Sequence, residues 1–234
     1  MEILSNSELP SVRENIELHT KDGQTLVGEL ALPVGKDPVA TLITLHPLPT
    51  HGGFMDSHLL RKMANRLPEL LSLAVLRFNT RGTTSPRGTS TGEFDGGVAE
   101  ELDVAAAVEF CRQRSLPRFW LVGWSFGTEL AIKYGPDHPI EGAILLSPPL
   151  HRATADDLRR WETTSAQLVA LVPELDEFLP PQEAEKKFSV LSKTKLLAFD
   201  GEKHLWVGEG ATRRVLNAIA ESVLPGSSPL PTDY

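Results

Sequence analysis

Cysteine is nearly absent. Cys111 is alone in 234 residues, so no internal disulfide can form, and a reducing, cytoplasmic setting is expected. No apolar run approaches the roughly 18 residues a membrane-spanning helix needs. The opening MEILSNSELPSVREN has neither a cationic start nor an apolar core, so it does not read as a secretory signal. Basic excess is missing too: 23 Lys and Arg stand against 31 Asp and Glu, a formal net charge of −8. Phosphate neutralisation needs clustered basic side chains, so neither nucleic acid nor an anionic membrane is an expected partner. The glycines of RGTTSPRGTSTG follow no dinucleotide or Walker spacing, which argues against a phosphate cradle. His46, His51, Asp56 and His58 match no compact ligand motif, so no metal and no cofactor are expected.

What is present is an alternation. Short β-rich runs (NIELHT, QTLVGELALP, VATLITLHP, LAVLRFNT, RFWLVGW, GAILLSPP, QLVALVPELD, TKLLAFDG) are interleaved with helical stretches at DSHLLRKMANRLPE, within 98–114, SFGTELAIKY, 182–192 and 211–223. KDG between the first two runs reads as a hairpin turn. Several later runs are apolar on both faces, as strands sandwiched between helices must be. This pattern predicts an α/β fold with an open, doubly wound, mostly parallel sheet. No repeat or linker divides the chain, so residues 1–224 read as one domain. The final PGSSPLPTDY, 225–234, is too poor in apolar residues to pack strongly and is expected to be loose.

In such sheets ligands sit beyond the carboxyl ends of the strands. Ser125 lies there, in GWSFG between a predicted strand and a predicted helix. A sharp strand-to-helix turn carrying an exposed serine tolerates only small neighbours, and Gly123 and Gly127 supply them. The hydroxyl needs a base. His204, in DGEKHLW after the last strand, is the best placed of the seven histidines, with His151 next. A carboxylate must orient that base. Asp176 follows the run LVALVPELD; Glu174 is the alternative two residues earlier. The chain order Ser125, Asp176, His204 is the order of the strand–elbow–helix hydrolases.

Together GWSFG, ELDEFLPP and GEKHLW resemble the elbow, acid loop and histidine loop of the α/β-hydrolase superfamily. HPLPTHGG and FNTRGTTSPRGTSTGEFDGG are similar to a small bacterial subgroup related to dienelactone hydrolases and short esterases, and the likeness runs from about residue 15 to 223. The resemblance implies a mostly parallel sheet of about eight strands and hydrolysis through an acyl-enzyme, without fixing the substrate. Pro173 stands where the family often has glycine. A serine nucleophile also departs from dienelactone hydrolases proper, which use cysteine, and from haloalkane dehalogenases, which use aspartate.

An oxyanion must meet preorganised N–H groups. Phe126, after the nucleophile, is one expected donor. Pro47 and Pro49 have no N–H, which leaves Leu48, Thr50, His51 and the glycines; the family likeness points to Leu48. Trp124, Trp206 and His151 are candidates for the pocket wall. About 17 residues, LHRATADDLRRWETTSA, occupy the place where lids are commonly inserted. That length holds one short helix and no mobile apolar cover, so small soluble esters are the expected substrates. Two alternatives remain at this level: a non-catalytic binding protein of the same fold, and an acyltransferase or perhydrolase using the same site.

Overall fold

The computed structural model describes residues 2–234. The chain enters through an antiparallel hairpin, β1 (Val12–His19) and β2 (Thr25–Leu32), turned at Gly23 with φ +84°. Six further strands of the same sheet follow: β3 (Ala40–Leu45), β4 (Leu73–Phe78), β5 (Phe119–Trp124), β6 (Gly142–Leu146), β7 (Gln167–Pro173) and β8 (Lys195–Phe199). They form one eight-stranded sheet in the order β1-β2-β4-β3-β5-β6-β7-β8. From β4 to β8 every neighbour pair is parallel; β2 joins β4 antiparallel. The expected doubly wound, mostly parallel sheet is what the chain builds.

Six helices connect it: α1 (His58–Leu71), α2 (Glu101–Gln113), α3 (Phe126–Tyr134), α4 (Ala155–Arg159), α5 (Pro181–Phe188) and α6 (Glu209–Val223). Alternate side chains of a strand face opposite sides, and both sides are covered. Leu42, Val122, Ile144 and Leu146 pack with Leu60 and Met63 of α1 and Val215 and Ile219 of α6. Ile43, Leu45, Leu121 and Leu145 pack with Val104 of α2, Leu130 of α3 and Phe188 of α5. Each such side chain contributes roughly 1.5–3 kcal/mol by leaving water. The two-sided burial explains why β5 and β6 read as continuous apolar runs, and β3 and β4 as nearly continuous ones apart from Thr41, Thr44 and Arg77, and not as alternating strands.

Helix α1 continues through Pro68, which has no N–H to give the carbonyl of Ala64. Arg13 Nη2 donates to that oxygen at 3.1 Å instead. The freed acceptor is therefore satisfied from β1. The C-terminal segment corrects an expectation. Leu230 is buried against the α6 side of the sheet, its N–H donates to Asn217 Oδ1 at 2.8 Å, and Ile3 N–H donates to the carbonyl of Thr232 at 2.8 Å. The tail is held because one leucine finds an apolar slot and its backbone finds the other end of the chain, a partner that local composition does not reveal.

Candidate active site

The turn after β5 is compressed. Ser125 adopts φ +51°, ψ −113°, a region a residue with a side chain rarely enters, and its N–H donates to the carbonyl of Leu146 on β6 at 2.9 Å. The glycines on either side are required by contact. A Cβ on Gly127 would lie 2.0 Å from the carbonyl oxygen of Leu45, and one on Gly123 would lie 2.4 Å from that of Gly127. Strand, turn and helix close on one another so tightly that no other residue fits. The turn thrusts Ser125 Oγ off the carboxyl end of the sheet into an open cleft of about 370 Å³.

Beyond β7 the backbone turns, and Asp176, three residues past the strand, is buried at the turn. Its Oδ1 accepts the N–H of Phe178 at 2.9 Å. Past β8, His204 is buried and spans the gap. Its Nδ1 lies 2.9 Å from Asp176 Oδ2 and 3.1 Å from Oδ1, and its Nε2 lies 2.9 Å from Ser125 Oγ. An ionised carboxylate only accepts, so Nδ1 carries the proton and Nε2 is free to accept from the serine hydroxyl. Glu174 points elsewhere: its carboxylate accepts the Gly201 N–H at 2.7 Å. Between the two acids, the geometry at His204 belongs to Asp176.

Trp124 and Trp206, expected on the pocket wall, are not there. They are 2% and 0% exposed and belong to the core beneath the histidine loop. An indole N–H buried in a core needs an acceptor. Trp124 Nε1 donates to the carbonyl of His204 at 3.2 Å, and Trp206 Nε1 donates to Ser147 Oγ at 2.8 Å. Ser147 Oγ in turn donates to that same His204 carbonyl at 3.0 Å. The two tryptophans thus clamp the backbone of His204 from below. His151 does line the cleft, with Pro47, Leu48, Phe126, Arg152, Phe178 and Leu205. It makes no bond to Ser125; its ring meets Phe178 edge-on at 5.6 Å, and Phe178 meets His204 at 4.7 Å.

The remaining wall is the loop after β3. His46 is buried, its Nδ1–H donating to the carbonyl of Pro47 at 2.7 Å and its Nε2 accepting the N–H of Thr80 at 3.1 Å. Burial pushes this imidazole down to about 4, against a smaller opposing effect of the Pro47 carbonyl. The Pro47–Leu48 peptide is trans, so turning its carbonyl to His46 puts the Leu48 N–H on the opposite edge. That N–H makes no backbone hydrogen bond among the described residues. Phe126 opens α3, and a first helical residue has no intrahelical acceptor for its N–H. The other polar residues of this loop are engaged: Asp56 with Arg77 and Arg87, and His58 with the carbonyl of Leu205 at 2.8 Å. Among the described residues, no group of three or more His, Cys, Asp or Glu is arranged to hold a metal ion.

Two supports escaped the sequence reading. Glu129, wholly buried on α3, accepts the backbone N–H groups of His151 at 2.7 Å, Arg152 at 3.1 Å and Ala153. The sequence marks His46 as a strand-end histidine without showing that it braces the loop that carries Leu48. A lone acid inside the apolar helix FGTELAIKY was the one signal available for Glu129.

A hydrogen-bonded Ser–His–Asp chain at the carboxyl edge of a doubly wound sheet defines a class, and comparison with known proteins agrees. The chain belongs to the alpha/beta hydrolase family, whose model matches residues 45–231. A solved α/β serine hydrolase without a lid, from Xanthomonas campestris, is 27% identical, covers 93% of this chain and 96% of its own, and superposes with a TM-score of 0.75. An α/β serine hydrolase homologue from Coxiella burnetii, 24% identical, shares the fold with a TM-score of 0.77 over 90% of this chain and 97% of its own. An esterase of Pyrococcus furiosus shares it at 18% identity and TM-score 0.71, over 93% of this chain and 90% of its own. A curated relative, an uncharacterized protein of Rickettsia prowazekii, is 32% identical over 117 residues. The match spans about half of either chain, 49% of this one and 46% of the relative. No helix among the described residues is long and apolar enough to cross a membrane.

Proposed function

We propose that the protein is a serine hydrolase that cleaves carboxylic esters of small substrates through an acyl-enzyme on Ser125. The observation that carries this reading is the unbroken run of hydrogen bonds from Ser125 Oγ through His204 to Asp176, at the floor of an open cleft. His204 Nε2 takes the serine proton as Oγ attacks the ester carbonyl, then returns it to the departing alcohol. Asp176 holds Nδ1–H in place and stabilises the imidazolium. The tetrahedral oxyanion is received by the N–H groups of Phe126 and Leu48. Water repeats the sequence on the acyl-enzyme and releases the acid. No cofactor enters this scheme.

The lidless serine hydrolase of Xanthomonas campestris supports a serine hydrolase, and the esterase of Pyrococcus furiosus supports the choice of esters, by analogy of fold. The test is covalent labelling by a fluorophosphonate together with turnover of p-nitrophenyl acetate. Ser125→Ala is expected to lose both, with kcat falling by about 10⁶ as expected for a triad nucleophile. Full turnover in that variant would overturn the reading.

A further inference from the structure

The three arginines buried in the core are each paired with carboxylates: Arg77 with Glu29 and Asp56, Arg81 with Asp22 and Asp103, Arg66 with Glu209. Arg152 is different. It is half-buried in the wall of the cleft that holds Ser125, and its guanidinium has no ion pair or hydrogen bond among the described residues. The side chain is nevertheless fixed. Its Cζ lies 5.4 Å over the ring of Phe126, and its Cδ is 3.6 Å from where a Cβ on Gly97 would stand.

The loop that presents it is built with unusual effort. Glu129 is buried in the core with its carboxylate turned to the backbone N–H groups of residues 151–153. A buried carboxylate is unfavourable unless well hydrogen-bonded, and here its bonds serve to hold this loop. Just before it, Ser147 and Leu150 take φ +51° and +52°. Strained backbone of this kind persists where the surroundings over-determine it, commonly at functional sites. A rigid loop that aims an unpaired guanidinium into a cleft is a preorganised anion site, and the planar fork of arginine suits a carboxylate. The other ionisable lining groups are His51, His151, His204 and the exposed Glu177; only Glu177 opposes an anion.

We infer that the cleft selects esters carrying a second, anionic group, a carboxylate a few carbons from the scissile bond, which the Arg152 guanidinium binds while Ser125 meets the ester carbonyl. This rests on the hydrolase reading above, and the experiment separates the two. Hydrolysis is followed by pH-stat for two matched pairs: monomethyl glutarate against methyl pentanoate, and 4-acetoxybutanoate against butyl acetate. Binding of free glutarate to the Ser125→Ala protein is measured by calorimetry, which needs no turnover. The anionic member of at least one pair should be preferred in kcat/KM by 10- to 100-fold. Arg152→Met should erase that preference, Arg152→Lys should restore part of it, and glutarate binding should vanish in Ser125→Ala/Arg152→Met. Equal kcat/KM within both pairs, with no glutarate binding, would overturn the inference while leaving Ser125 labelling and neutral-ester turnover intact. Glutarate binding that depends on Arg152 in a protein that neither labels nor hydrolyses would support the anion site and reject the hydrolase.

Discussion

His46 offers a sharp test of how the oxyanion loop is held. Its ring must be neutral in the fold, because Nε2 accepts an N–H from Thr80 and cannot do so when protonated. In the unfolded chain it titrates near its ordinary 6.5, whereas burial lowers it to about 4 in the fold. Between these values the unfolded state binds a proton that the folded state refuses. The stability that the neutral ring contributes is therefore complete above pH 6.5 and is lost as pH falls toward and through about 4. At about 1.4 kcal/mol per pH unit, the whole gap is worth about 3 kcal/mol, and most of it falls between pH 7.5 and 4.5. Asp103 runs the other way. Burial raises its carboxyl from 3.8 to about 6 despite the Arg81 pair, so its contribution is present below about 4 and is lost as pH rises through 6. The raw stability curve mixes the two, so the difference from a variant is the quantity to measure. His46→Gln keeps a donor for the Pro47 carbonyl and an acceptor for Thr80 but does not titrate. Urea unfolding from pH 4.5 to 7.5 should show wild type losing about 2–3 kcal/mol relative to His46→Gln as the solution is acidified. A difference constant to within about 0.5 kcal/mol across that range would refute the neutral, buried imidazole.

Asp176→Asn should lower kcat by about 10⁴, as for an aspartate that fixes the tautomer of the catalytic base, while Glu174→Gln should leave ester kinetics near wild type; the reverse pattern would move the acid to Glu174. Gly127→Ala forces a Cβ to 2.0 Å from the Leu45 carbonyl, so it should cost about 3 kcal/mol or more in thermal or urea unfolding and displace Ser125. Gly210→Ala meets nothing within 4 Å in α6 and should be neutral or stabilising by up to about 1 kcal/mol. The segment between β6 and β7, residues 147–166, holds only helix α4 and the short helical turn after it, Ala155–Thr163, too little to bury a long chain at about 0.8 kcal/mol per methylene. Among p-nitrophenyl esters from acetate to palmitate, kcat/KM should therefore peak at short acyl groups; a maximum at ten carbons or more would show a deep apolar pocket.

The sheet and its helices were legible in the sequence because a strand buried on both faces is apolar at most positions on both sides, and a connecting helix must repeat its apolar face every three to four residues. Both are local requirements. The elbow was legible for a similar reason: the packing that excludes a Cβ at Gly123 and Gly127 demands glycine whatever lies further off. Ser125, Asp176 and His204 were legible because each follows the end of a recognisable strand, in an order that fits such a site.

Only the folded chain decided the rest. Asp176 and its alternative Glu174 lie two residues apart after one strand; they part because one turns toward His204 and the other toward Gly201. Trp124 and Trp206 lie next to site residues along the chain, yet their bulk is satisfied in the core and their N–H groups below the histidine loop. Leu230 packs because α6 leaves it a slot. His46, Glu129 and Arg152 are single polar residues with no pattern around them, and what each does depends on atoms brought to it from 34 residues away at Thr80, 22 at His151 and 26 at Phe126. Periodicity records the environment of a backbone; the partner of a lone polar side chain exists only once distant segments have met.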